Sequence, residues 1–112
     1  MSDRIDALLA ILRAGQDSAL LRFSLGNEYL GQEQYDAAVE HLQVAVDLDA
    51  TYSAAWKLLG RALLSLGRSD EARVVYSRGI TVAETSGDKQ AAKEMNVFLR
   101  RLEKAASDKA RS

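Results

Sequence analysis

Residues 56–79 read WKLLGRALLSLGRSDEARVVYSRG, and the same order of large and small side chains stands 34 residues earlier, at 22–45, as RFSLGNEYLGQEQYDAAVEHLQVA. Trp56, Leu59, Gly60, Leu63, Ala72, Tyr76 and Gly79 correspond to Arg22, Leu25, Gly26, Tyr29, Ala38, Leu42 and Ala45. Laid over each other, 19–52 and 53–86 coincide without a gap. Leu25/Leu59, Gly26/Gly60, Leu30/Leu64, Asp36/Asp70, Ala38/Ala72 and Thr51/Thr85 are identical, and Val46/Ile80 and Leu48/Val82 are near-equivalent. A fixed period of this length marks a stacked helical repeat, in which each unit buries its apolar face only against its neighbours.

The small residues carry the physical reason. Gly26 and Gly60 fall inside helical patterns, where glycine costs about 1 kcal/mol relative to alanine, so close approach of a second helix must offset that loss. Ala38 and Ala72, in the second helix of each unit, are the expected opposing small residues. Leu25, Tyr29, Leu42, Leu59, Leu63 and Tyr76 are expected to fill the space around the contact.

These residues resemble the tetratricopeptide repeat, whose pattern runs Trp, two residues, Leu-Gly, two residues, Tyr, then Ala, three residues, Phe. The first copy has Arg22 for the tryptophan and keeps Tyr29; the second keeps Trp56 and has Leu63 for the tyrosine. Ala50 and Glu84 stand where the family's closing proline is usual. The resemblance implies an all-α fold, a short right-handed α-solenoid of antiparallel helix pairs with about six helices. The expected organisation is one domain over 1–112: an N-terminal helix at 1–14, units at 19–52 and 53–86, a capping helix at 88–105 and a frayed tail at 106–112.

Composition agrees with that class and removes others. With 47% hydrophobic and 28% charged residues and no proline, the chain reads as a soluble helical domain. The absence of cysteine excludes disulfides, zinc–thiolate sites and thiol nucleophiles. The start, Met1-Ser2-Asp3-Arg4-Ile5-Asp6, lacks the basic cluster of a signal peptide, and no stretch approaches the roughly 20 apolar residues of a membrane span. A cytoplasmic, membrane-free protein is the expectation. Charge is segregated: residues 1–56 carry three basic and nine acidic side chains, a net of −6, and residues 57–112 carry twelve and seven, a net of +5. Either electrostatically steered head-to-tail association or an uneven draw of solvated charges accounts for this.

Along the chain, Ser2 or Asp3 is placed to cap a first helix whose Ile5, Leu8, Leu9 and Leu12 form one stripe. Gly15 ends it, and Asp17 or Ser18 caps the next helix, to about Gly31. Asp36 and Asp70 sit in the first turns of the third and fifth helices, where negative charge suits the helix dipole. Gly87-Asp88 reads as a C-terminal glycine followed by an N-cap, starting a last helix near Lys89. Its Ala91, Met95, Phe98, Leu99 and Leu102 make an inner face, with Lys93, Arg100, Arg101 and Lys104 outside. Lys93-Glu94 stands where a third Leu-Gly is due, so this helix reads as a cap.

Catalysis finds no support in the residues. The single histidine, His41, has no carboxylate at i±3 or i±4 and reads as structural or surface, and Asp47-Leu48-Asp49 falls far short of a calcium loop. No glycine-rich phosphate loop or nucleophile–base pair is present, so the chain is expected to be non-enzymatic and free of cofactors and metals. The arginines alternate with acids in a chain of pI ≈ 5.8, which argues against nucleic acid.

A second face remains on the first helix of each unit: Leu20, Phe23, Asn27 and Leu30, then Ala54, Lys57, Arg61 and Leu64. In the family this chain resembles, that face lines a concave groove for extended peptides or partner helices. The resemblance thus implies a protein-binding module whose groove residues are Leu20, Phe23, Asn27, Leu30, Lys57, Arg61 and Leu64. Lys57 and Arg61, four apart, would take acidic groups, and Asn27 would bond peptide backbone. Some members clamp the C-terminal carboxylates of chaperone tails; Asn27 matches that clamp, whereas Phe23 and Leu58 stand where it has lysine and asparagine. Two alternatives stay open: the terminal helices fold back over the row, or the protein is a self-associating structural subunit.

Overall fold

The computed structural model describes residues 3–111 and contains six helices among them: α1 (Asp3–Arg13), α2 (Ala19–Gly31), α3 (Tyr35–Leu48), α4 (Ser53–Ser65), α5 (Ser69–Ser86) and α6 (Lys89–Arg111). Consecutive helices pack as a chain of hairpins. Contacts beyond sequence neighbours join α2 to α4 and α4 to α6, while the Cα atoms of α3 and α5 stay more than 8 Å apart. Helices crowded on one side and splayed on the other curve the stack, so α2, α4 and α6 line the concave side. The molecule is elongated, 51 × 31 × 19 Å.

Local chemistry sets the helix ends. Ser18 has extended backbone and its Oγ accepts from Leu21 N at 3.0 Å, capping α2. Of the capping candidates for α1, Ser2 lies outside the described residues and Asp3 is already helical. The turn after α2 places Glu33 at φ +59°, and its counterpart one period later is Gly67 at φ +76°; glycine occupies that left-handed conformation without the Cβ clash glutamate must tolerate. Gly87, at φ +80°, closes α5, and Asp88 Oδ1 accepts from Ala91 N at 3.2 Å to open α6. Asp88 Oδ2 also accepts from Ser53 Oγ at 2.7 Å, tying the start of α4 to the start of α6.

The last helix departs from the expected end at residue 105 and continues to Arg111. Ala105, Ala106 and Ala110 have the highest helix propensity, and Lys109 and Arg111 suit the negative end of the dipole, so local preference extends the helix where no apolar stripe does.

The helical glycines meet different partners from those expected. Ala38 and Ala72 are fully buried, but a Cβ on Gly60 would lie 2.5 Å from Tyr76 Cε1 and 2.6 Å from Cζ. A Cβ on Gly26 would overlap Leu42, at 2.6 Å from Cδ2. The glycine of each first helix therefore seats the large residue of the second, and the alanine is buried in the same core. Gly79 likewise seats the Met95 sulfur and the Trp56 Cβ.

The main core runs from Leu30 in α2 to Met95 in α6 through Leu42, Trp56, Leu59, Leu63 and Tyr76. A smaller cluster of Ile5, Leu21 and Leu25, flanked by Leu8, Leu9, Leu12 and Tyr29, docks α1 on α2 alone. Trp56 crosses the unit boundary: its ring is 7% exposed and its Nε1 donates to Ala50 O at 2.8 Å. Among the described residues one buried side-chain group lacks a partner. Tyr76 Oη has no hydrogen bond, so Tyr76→Phe is expected to raise stability by about 1 kcal/mol, the cost of an unsatisfied hydroxyl being removed while the ring stays. A urea titration of the two proteins measures the difference; a loss of stability contradicts it.

Candidate functional site

The helical period puts every third or fourth residue of α2 and α4 on the concave side, and the structure sorts the expected groove residues into three kinds. Leu20 is 65% exposed and Asn27 and Arg61 are also open to solvent. Phe23 and Leu64 are half-buried; the Phe23 ring stacks on Tyr52, centroids 4.9 Å apart and planes 26° off parallel. Leu30 is buried in the main core and contributes packing instead of contact surface. Its position, next to last in α2, places it in the core shared with the second unit.

Lys57 is half-buried and its Nζ lies 2.9 Å from Glu94 Oε2 of α6. Glu94 Oε1 accepts from Gln90 Nε2 at 2.9 Å, and the two hydrogen bonds hold the Glu94 carboxyl below the usual carboxylate range. The lysine expected to serve a ligand thus serves the contact between α4 and α6. Arg61, one turn further along α4, has no ion pair among the described residues.

Three residues missed from the sequence complete this face. Glu94, Phe98 and Arg101 follow at i, i+4 and i+7 on α6, the spacing that Lys57, Arg61 and Leu64 have on α4, and that match was the available signal. Phe98 stacks on Tyr76 at 5.7 Å and 10°, and the Arg101 guanidinium lies 5.7 Å from the Phe98 centroid. Arg101, expected on the outer polar face, instead covers the ring of an inner residue. Burial, against a weaker pull from Arg61, pushes the Tyr76 hydroxyl up to about 12, so it remains an O–H donor at neutral pH.

The terminal helices leave Leu20, Asn27 and Arg61 exposed, while α6 engages Lys57. α1 packs against Leu21, Leu25 and Tyr29 of α2, and α6 meets α4 through Glu94 and α5 through Phe98. The convex side carries depressions of its own. One, about 370 Å³ between α3 and α5, is lined by Val39, Asp47, Trp56, Arg68 and Val74 among others. There Arg68 is paired with Glu71 and nearby Arg73 with Asp70.

His41 is a structural group. Its ring is 9% exposed and lies parallel to Tyr29 at 5.5 Å. Arg22, standing in the place of the motif tryptophan, reaches His41 Nδ1 at 3.0 Å and pairs with Asp17, Nε to Oδ1 at 2.9 Å. Since guanidinium only donates, Nδ1 accepts and the ring is neutral. Burial first, then the Arg22 charge, lowers the His41 pKa from 6.5. A histidine that binds its proton less readily when folded stabilises the protein fully above about pH 6.5, and that part is lost as pH falls through the folded pKa. The urea midpoint is therefore expected to fall between pH 7.5 and pH 5, and to fall less in His41→Gln. An identical pH dependence in the variant contradicts this assignment.

Among the described residues no helix is long and apolar enough to cross a membrane. A family model described as a tetratricopeptide repeat matches residues 29–94. The chain is 50% identical, over 101 residues, to a TPR repeat-containing protein of Pseudomonas aeruginosa, covering 90% of this chain and 96% of that one. The solution structure of a protein from Bordetella parapertussis is 46% identical with a TM-score of 0.80, covering 94% of this chain and 91% of that chain. A crystal structure of a tetratricopeptide repeat domain protein from Salinibacter ruber is 25% identical with a TM-score of 0.72, covering 78% and 97%.

Proposed function

This chain belongs to the tetratricopeptide repeat family, and from that premise we propose that it is a non-catalytic scaffold taking a peptide or partner helix into the concave face of α2, α4 and α6. Members of the family generally mediate protein–protein interaction. The observation that carries the reading for this chain is the uncovered row itself: Leu20 is 65% exposed, with Phe23 and Leu64 half-buried and Asn27 and Arg61 open on the same side. An apolar row bordered by a hydrogen-bonding amide and a cation suits a segment with apolar side chains and acidic groups.

A photo-crosslinking residue tests the reading at positions whose exposure predicts intact folding. Placed at Leu20 it is expected to capture a partner from host lysate, whereas placed at Val74, 59% exposed on α5, it is not. The capture should disappear in a chain that also carries Leu64→Glu. Capture from Val74 alone would move the binding surface to the convex side. The charge segregation favours a second reading, a subunit that associates head to tail; sedimentation would then give oligomers that dissociate as salt rises.

A further inference from the structure

We propose that the protein associates with itself head to tail, with α6 of one copy pairing with α1 of the next to complete a further helical unit. The proposal rests on the head-to-tail reading above and gives it a surface; it does not use the concave groove.

The period makes each end helix one half of an unfinished unit. Residues 3–13 of α1 fall one 34-residue period before 37–47 of α3, so α1 holds the place of a second helix. α6 contacts α4 as α4 contacts α2, so it holds the place of a first helix. Coverage agrees with this. α4, with helices on both sides, buries Trp56, Leu58, Leu59, Gly60 and Leu63, whereas among the described residues α6 buries Ala91 and Met95 and α1 buries Ile5.

The open face of α1 is the one that its counterpart buries. Ala7, Leu8 and Ile11 stand one period before His41, Leu42 and Ala45, all buried in α3, where His41 stacks on Tyr29 of α2 and Leu42 fills the place of a Gly26 side chain. Among the described residues α1 packs on α2 alone, and on this second face Ala7 is exposed, Leu8 half-buried and Ile11 43% exposed. On α6 the matching face follows from the helix starts, Ser53 and Lys89. That alignment superposes the buried pairs Ala55/Ala91 and Leu59/Met95, and sets Asn96 and Leu99 at the places of Gly60 and Leu63. Gly60 is where α4 receives Tyr76 of α5; Asn96 and Leu99 are half-buried, with exposed Glu103 on the same flank. Asparagine in the glycine's place keeps a partner helix further off than α5 is from α4, which suits a reversible contact between copies.

Charge selects a second copy of this chain as the occupant. Residues 1–56 are net −6 and 57–112 net +5, so head-to-tail stacking sets unlike halves together, whereas head-to-head and tail-to-tail contacts set like charges together. A helix antiparallel to α6, as in the hairpins of the fold, brings Arg4 beside Glu103 and Ile11 beside Ala92. Arg4 pairs with Glu28 at 3.1 Å but is 81% exposed, open to a second carboxylate. Since the two surfaces differ, the association is heterologous and extends beyond a dimer.

Sedimentation velocity of the full chain at low salt tests this, with Ile11→Glu blocking one end and Asn96→Arg the other. Each substitution keeps the charge sign of its end, so a loss reports the contact and not the steering. The parent is expected to form a concentration-dependent series of oligomers with a Kd on the order of 100 μM per joint, and each variant to associate about tenfold more weakly or less still. Mixed in equal amounts, the two variants should form dimers and nothing larger, because each retains one intact end. Ala7→Glu and Glu103→Arg repeat the blocks where circular dichroism shows that a first variant has lost helix. A parent that stays monomeric, or a variant that dimerises alone through an isologous contact, overturns the proposal and the head-to-tail reading together. Association that survives in each variant, or a mixture that stays monomeric, overturns this surface and leaves that reading standing. Leu20→Glu, which blocks the concave face, should associate like the parent; loss of association there places the contact in the groove and overturns the proposal.

Discussion

Gly60→Ala is expected to lower stability by about 2 kcal/mol, a fall in melting temperature on the order of 10 °C for a chain of this size, although alanine is the better helix former. The added methyl would arrive 2.5 Å from Tyr76 Cε1. Retreat of the ring is blocked, since Tyr76 is fully buried and stacked on Phe98. Separating α4 from α5 instead would open the contact that organises the second unit. Gly31→Ala is the control. It lies at the end of α2, where an added methyl meets nothing within 4 Å, so it is expected to be neutral or slightly stabilising. Calorimetry of both variants separates the steric effect from helix propensity. A Gly60→Ala protein as stable as its parent would show that α4 and α5 do not depend on this close approach.

Trp56→Ala should have the largest effect of any single change, about 4 kcal/mol, from the cavity left by the indole and loss of its bond to Ala50 O. The position matters as much as the size. Trp56 packs its Cβ against Gly79 of its own unit, bonds to Ala50 O of the first and contributes to the walls between α3 and α5, so it joins the first unit to the second. In a stacked repeat, stability is a sum of unit terms and neighbour terms, and a weakened neighbour term lets the units unfold apart. The expected result is a broadened or two-step denaturant transition followed by circular dichroism, whereas Trp56→Phe keeps a single step at reduced midpoint. A single sharp transition in Trp56→Ala would place the coupling between units in other contacts.

The repeat was legible because its signals are local. Glycine and the large residues seated against it recur at one spacing, and Ser18, Gly87 and Asp88 act on backbone groups within a turn of themselves. Even so, the sequence misassigned what each glycine faces. Spacing says that a small residue admits a neighbour, but the choice between Ala72 and Tyr76 depends on how far α5 is rotated, which packing of the whole core decides.

The candidate site was half legible for the same reason. That Leu20, Phe23 and Asn27 share one side of α2, and Lys57, Arg61 and Leu64 one side of α4, follows from the helical period alone. Lys57 and Glu94 are 37 residues apart. Their relation depends on where α6 comes to rest, tethered by Ser53 to Asp88 and by Met95 against Gly79. The amino-acid sequence by itself determined the helices, their pairing and the face they share, since periodicity and capping act over a few residues. Only the tertiary structure decided which charges on that face are spent within the fold and which stay free, because an ion pair depends on distances between helices that no local signal records.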